Sequence, residues 1–234
     1  MSTPVERIRQ FVSANTFFGS LPEARLDSLL RHGHVRKFEK GQAIYKRDDQ
    51  GDSLMVILSG RVKISNVTAD AREVVLNFLG PGDVNGEIAI LDGRARTANA
   101  VALEDTEAFV VYRRDLLPVL SASPEAMLEV IQGLCEKLRA ASAIIEHNAL
   151  EMQGRAANGL LRLAQQHGKA TKDGIRIDLQ LTQRDLGSYL GLSRENVSRQ
   201  LGRLKDRELI GIDGPHIVIL DEAGLRAVAD GPDA

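Results

Sequence analysis

The chain holds a single cysteine, Cys135, among 234 residues. That excludes a disulfide within the chain and any multi-cysteine zinc or iron–sulfur site. The five histidines, His32, His34, His147, His167 and His216, follow no zinc-ligand spacing. His32 and His34 suit a wetted strand or loop. An excess of one charge is also missing: 30 Lys and Arg face 32 Asp and Glu, for a net −2. Any surface for nucleic acid must therefore be local. No run of 18 apolar residues occurs, and MSTPVERIRQ has no signal-peptide core, so a cytoplasmic protein without a membrane span is expected. What is present, 43% hydrophobic and 26% charged residues, can bury the core of one large or two ordinary domains.

The hydrophobic period changes twice along the chain. Residues 3–33 read as short helices, with Leu21, Leu26, Leu29 and Leu30 at helical spacing before Gly33. From Val35 to Tyr112, short β-rich runs are cut by Gly41, Gly51, Gly60, Gly80, Gly82, Gly86 and Gly93. That pattern predicts an antiparallel barrel or sandwich. After SASPEAM, the residues Leu128, Ile131, Cys135, Leu138, Ser142, Ile145 and Met152 predict one helix of roughly 25–30 residues. Its narrow seam fits a two-stranded coiled coil between two copies; packing on its own barrel is the alternative. The remainder reads as a helix (GRAANGLLRLAQQHG), a loop (KATKDG), a strand (IRIDLQL), two short helices, two strands around DGPH, and the helix EAGLRAVA. From residue 155 onward, 12 basic residues face 11 acidic ones. Arrangement, not composition, must carry any case for DNA.

LTQRDLGSYLGLSRENVSRQLGRLKDRELI has that arrangement. Thr182 is a good N-cap, with Asp185 three residues on. Leu186 and Leu190 form a buried face, and Gly191 sits where a turn demands positive φ. Ser193 caps a second helix whose Val197, Leu201 and Leu204 face inward. Arg194, Glu195, Ser198 and Arg199 then face outward. Arginine can donate two bonds to guanine, glutamate can accept from cytosine, and Ser193 and Ser198 can bond phosphate. An ordinary Glu195–Arg199 surface pair is the plainer alternative for those two residues. LIGID and HIVILD would form a wing. Thr182 and Gln183, at the entry to the first helix, join the DNA-facing set.

The stretch GEIAILDGRARTANA places Glu87 and Arg96 nine residues apart around a glycine turn. A short helix starting at Gly86 would direct free N–H groups toward one spot, with Arg96 and Thr97 returning beside it. One cation, one acceptor and free N–H groups describe a sugar-phosphate site: Arg96 on phosphate, Glu87 on a hydroxyl such as a ribose 2′-OH. A Glu87–Arg96 salt bridge that fixes the turn is the alternative.

Together these stretches resemble the family of the bacterial cyclic AMP receptor protein and the fumarate–nitrate reduction regulators, over nearly the whole chain. GDSLMVILSGRVKI resembles its β-roll hairpin, GEIAILDGRARTA its phosphate-binding cassette, and LTQRDLGSYLGLSRENVSRQLGRL its helix-turn-helix. The resemblance implies an α+β fold with three parts. Residues 1–123 would form an antiparallel β-roll that binds a cyclic nucleotide, 124–153 a dimerisation helix and hinge, and 154–234 a winged helix-turn-helix. It implies cyclic AMP or cyclic GMP as effector, without metal, haem or iron–sulfur cluster. The ligand would meet Glu87 on its ribose, Arg96 and Thr97 on its phosphate, and the backbone of Gly86 and Ile88. Ser142 would reach the base from the partner copy. Ala141 stands where a threonine often reads adenine, so adenine and guanine stay open. Arg194, Glu195 and Arg199 match the base-reading trio, implying a TGTGA-like half-site, double-stranded DNA and RNA polymerase as partners, and a homodimer. The DGPH wing lacks a basic residue that some members carry. A same-family regulator with another effector, or none, is the first rival. A nucleotide-binding enzyme or signalling module is the second, although no nucleophile–base pair is apparent.

Overall fold

A computed structural model describes residues 4–13, 18–147 and 151–230. The chain forms two units, one spanning residues 1–67 and 75–138, the other built on 139–234. The first opens with helices α1 (Pro4–Ser13) and α2 (Glu23–His32). Strands β1 (His34–Phe38), β2 (Ala43–Tyr45), β3 (Ser53–Ser59), β4 (Val62–Val67), β5 (Glu73–Leu79) and β6 (Val84–Asn85) follow. Then come α3 (Glu87–Asp92), β7 (Asn99–Ala102), β8 (Thr106–Tyr112), α4 (Arg113–Ser121) and α5 (Pro124–His147).

The strands form two antiparallel sheets, ordered β1-β8-β3-β6 and β2-β7-β4-β5. β3, SLMVILS, is apolar along its length because both its faces are covered. Leu54, Val56 and Leu58 point into a core with Phe18, Leu26, Leu29, Leu116, Leu120, Ala126 and Val130 from the helical layer. Met55 and Ile57, on the opposite face, pack with Phe38, Val62, Ala100, Ala102, Ala108 and Val110 between the sheets. The alternation along one strand thus divides two cores.

TANAVALEDTEAFVVY, a β-rich stretch without a glycine break, forms two strands. β7 pairs with β2 and β4, while β8 pairs with β1 and β3. The chain changes sheets at Leu103–Asp105, a switch that local composition does not announce.

α5 runs for 24 residues, and Met152, expected in the same seam, instead opens the next helix. Residues 148–150 lie outside the described residues, as does the side chain of Ile145. Within α5 the two proposed packing modes use different faces. Ala126, Val130 and Gly133 are buried on the unit's own core, whereas Leu128, Ile131, Cys135, Leu138 and Ser142 are exposed at alternating spacings of three and four.

The second unit contains α6 (Met152–His167), β9 (Gly168–Thr171), β10 (Gly174–Ile177), α7 (Gln183–Leu190), α8 (Arg194–Asp206), β11 (Ile210–Asp213), β12 (His216–Ile219) and α9 (Glu222–Asp230). Its antiparallel sheet has the order β11-β12-β10-β9. KATKDG, expected as a loop, contributes most of β9, and only Lys172 and Asp173 turn. The expected strand IRIDLQL ends as a strand at Ile177. Ala156, Leu160 and Leu163 of α6 are buried, as are Leu186 and Leu190 of α7, Val197 and Leu204 of α8, and Leu225 of α9.

α8 corrects one expectation. Its inward set is Val197, Gln200 and Leu204; Leu201 is only half-buried. Spacings of three then four and of four then three both fit one helical stripe, and leucine pointed to the wrong one. The Gln200 Oε1 is buried without a hydrogen-bond partner. Truncating Leu204 to Ala should therefore cost about 2–5 kcal/mol. Leu201→Ala should cost clearly less, as urea denaturation of the two variants would measure.

Candidate functional site

The first site lies where the loop after β2, the start of β3 and the end of β6 converge on Arg96. The backbone of Arg96 is pinned to the loop from both sides. Its N–H donates to Asp49 O at 2.8 Å, and its carbonyl accepts from Asp48 N–H at 2.9 Å. The residue is 4% exposed. Nη1 donates to Gly86 O at 3.3 Å and Nη2 to Ser53 Oγ at 2.9 Å. The guanidinium carbon lies 4.3 Å from the centre of the Tyr45 ring, within cation–π range. Nε–H is buried and has no acceptor. Burial pulls the guanidinium pKa below its ordinary value, against the opposing pull of Tyr45, Asp52, Glu87 and Asp49.

Gly86 is required here by space and by conformation. Its φ is +90°, and a Cβ would overlap Arg96 Nη1 and stand 2.8 Å from Ser53 O. It caps α3, whose six residues make fewer than two turns. An element this short adds little dipole, so the anion-binding character rests on Arg96.

Glu87 is 5% exposed. It does not meet Arg96 in an ion pair; its Oε1 accepts from Lys137 Nζ of α5 at 2.7 Å. Lys137 also donates to Val84 O at 3.4 Å. The expected choice between ligand site and Glu87–Arg96 surface bridge is thereby narrowed: both groups are buried, close enough to influence each other electrostatically, and bonded elsewhere. Ile88 and Thr97 are exposed beside them, and the Thr97 carbonyl accepts from Asn66 Nδ2 at 3.1 Å. Ala141 and Ser142 are exposed on α5, four and five residues beyond Lys137. Sequence reading missed Lys137, because its partner is 50 residues away. It also missed Tyr45 and Asn85. The Tyr45 hydroxyl donates to Asn85 Oδ1 at 2.7 Å.

The second site is the pair α7–α8. Thr182 Oγ1 accepts from Asp185 N–H at 3.1 Å and Ser193 Oγ from Asn196 N–H at 3.3 Å, so both expected N-caps form. Gly191 takes φ +64° between the helices. Arg194, Glu195, Ser198 and Arg199 are all exposed. Among the described residues no ion pair joins Glu195 to Arg199. Arg194 Nε instead donates to Gln183 Oε1 at 3.4 Å, bringing together two expected DNA-facing residues from different helices.

Among the described residues no helix is long and apolar enough to cross a membrane. Residues 35–123 match the cyclic nucleotide-binding domain family, and residues 154–228 the Crp-like helix-turn-helix domain. The chain is 30% identical over 213 residues to the CRP-like cAMP-activated global transcriptional regulator of Mycobacterium tuberculosis, covering 91% of this chain and 95% of that protein. It is 32% identical over 210 residues to the cyclic AMP receptor protein of Thermus thermophilus, covering 89% and 93%. Among solved structures, FixK2 from Bradyrhizobium japonicum superposes with a TM-score of 0.75 at 25% identity, over 83% of this chain and 96% of that one. The chain thus belongs to the CRP/FNR family of DNA-binding transcription regulators, with a cyclic-nucleotide-binding domain and a Crp-like helix-turn-helix. Membership in a family of transcription regulators sets aside the enzyme reading.

The site carries a pH signature. Burial pushes the Tyr45 phenol up to about 12, against the pull of Arg96 and the bond to Asn85. The unfolded chain releases this proton near pH ~10 while the folded chain keeps it. The stability linked to Tyr45 is therefore fully present below about pH 10 and is lost as pH rises toward about 12. Tyr45→Phe should flatten that part of the decline, read from denaturation curves across the alkaline range.

Proposed function

We propose that the chain is a homodimeric, cytoplasmic transcription regulator gated by a cyclic nucleotide, cyclic AMP or cyclic GMP. Residues 1–123 bind the nucleotide, 124–153 supply the dimerisation helix and hinge, and 154–234 read DNA. One observation carries the effector: a buried guanidinium, bonded to two neutral oxygens, keeps an N–H without an acceptor. A phosphate meets both its charge and that vacancy in a shielded setting. Glu87 accepts the ribose 2′-OH through its second oxygen, Thr97 and the backbone of Gly86 and Ile88 complete the cradle, and Ser142 reaches the base. Because Lys137 of α5 shares Glu87, ligand occupancy changes the environment of the long helix. It shifts the dimer only as far as it binds one arrangement better than the other.

The exposed three-and-four stripe of α5 supports a parallel pairing of two copies. Two recognition helices about 34 Å apart would then meet successive major grooves of a palindromic, TGTGA-like operator. Arg194, Glu195 and Arg199 read bases, while Ser193, Ser198, Thr182 and Gln183 bond the backbone. RNA polymerase is the downstream partner.

A second reading keeps the family and replaces the effector with another molecule, or with none. It is favoured by Glu87 being already engaged by Lys137. Titration calorimetry with cyclic AMP and cyclic GMP separates the two. On the first reading the wild type binds at least one, and Arg96→Gln loses about 2–5 kcal/mol of that affinity. Absence of binding, or binding unchanged in the variant, favours the second, as does DNA affinity that ignores nucleotide. In gel-shift assays Arg194→Ala should cost about 1–3 kcal/mol on a TGTGA operator and little on unrelated duplex.

A further inference from the structure

A buried arginine that must receive an anion faces a conflict. Without a countercharge it is costly to bury, yet a carboxylate bonded to it would occupy the donors that the anion needs. Arg96 has no ion-pair partner among the described residues. Its two bonded acceptors, Gly86 O and Ser53 Oγ, are neutral. The carboxylates of Asp52, Glu87 and Asp49 pull on it electrostatically without a bond to it, and the face of Tyr45 covers the guanidinium. An aromatic face attracts a cation through its quadrupole and accepts no N–H in the guanidinium plane.

The fold builds this contact deliberately. β2 is the edge of one sheet and β6 the edge of the other, and they share no ladder. The register of β2 on β7 slips between Ala43, opposite Val101, and Tyr45, opposite Ala100. A bulge of this kind re-aims the side chain that follows it. The Tyr45 hydroxyl then donates to Asn85 Oδ1. Asn85 is a polar residue 8% exposed, immediately before Gly86. That bond ties the two sheet edges together beside the arginine and fixes the ring's tilt.

We propose that Tyr45, held by Asn85, is a positioning residue for Arg96: its ring covers and attracts the buried guanidinium through the aromatic quadrupole while leaving the N–H donors to a phosphate. This rests on the cyclic-nucleotide reading above. Asn85 sets the ring's orientation and does not touch the ligand.

The test is a double-mutant cycle read by titration calorimetry with whichever of cyclic AMP and cyclic GMP the wild type binds. Tyr45→Leu should weaken binding about tenfold or more, the scale of a desolvated cation–π contact. Tyr45→Phe keeps the ring but releases it from Asn85, so its affinity should fall between those of the Leu variant and the wild type, a partial rescue that lost bulk alone would not single out. In an Arg96→Gln background, which removes the cation, Tyr45→Leu should cost almost nothing further. Should Tyr45→Leu fail to fold by circular dichroism, Tyr45→Met carries the same comparison. Equal losses in both backgrounds, or a Phe variant as weak as the Leu variant, would overturn the proposal and leave the nucleotide reading standing. A wild type that binds neither nucleotide would overturn both.

Discussion

Burial of a single positive charge organises the nucleotide-binding unit. Arg96 is almost wholly removed from water, and among the described residues no carboxylate is bonded to it. The surrounding architecture answers that constraint. A glycine at positive φ makes room for the guanidinium, a carbonyl and a hydroxyl take two of its donors, and an aromatic ring covers one face. Two backbone bonds to the Asp48–Asp49 loop fix where the side chain begins. The guanidinium keeps one buried donor, Nε–H, without an acceptor among the described residues. Glu87, equally buried, is balanced from outside the roll by an ammonium on α5. The two charges of the cassette are thus treated differently: one stays short of hydrogen-bond acceptors, and the other is coupled to the element that links the unit to the rest of the chain.

The helix-turn-helix follows a contrasting logic. Its geometry is set by local bonds that each span three or four residues: the Thr182 and Ser193 caps and the Gly191 turn. Its Arg194, Glu195, Ser198 and Arg199 stay in solvent, apart from the contact between Arg194 and Gln183. One unit buries its arginine and the other displays its arginines.

The same distinction explains what could be read in the sequence. Caps, turn glycines and the Gly86–Arg96 cassette are legible because the physics that requires them acts within about ten residues. The family resemblance extended that reading to fold and partners. Lys137, Tyr45 and Asn85 were silent because each matters only through a residue 40 or more positions away. The division of TANAVALEDTEAFVVY between two sheets, and the burial of Gln200 in place of Leu201, were likewise decided by what packs against those elements. Propensity and period cannot resolve such choices, since both alternatives satisfy them.

Strand β3 joins two jobs within one peptide unit. Ser53 holds the guanidinium, and its neighbour Leu54 is embedded in the same apolar cluster as Ala126 and Val130 of α5. Close-packed interiors are stiff, so a shift of the arginine has little slack to dissipate before it loads the helix. The anchor of the guanidinium and the base of the long helix are thus joined through one strand and one apolar cluster. Enlarging side chains at this junction would alter how much of a motion is transmitted, even where it left the pocket's chemistry untouched.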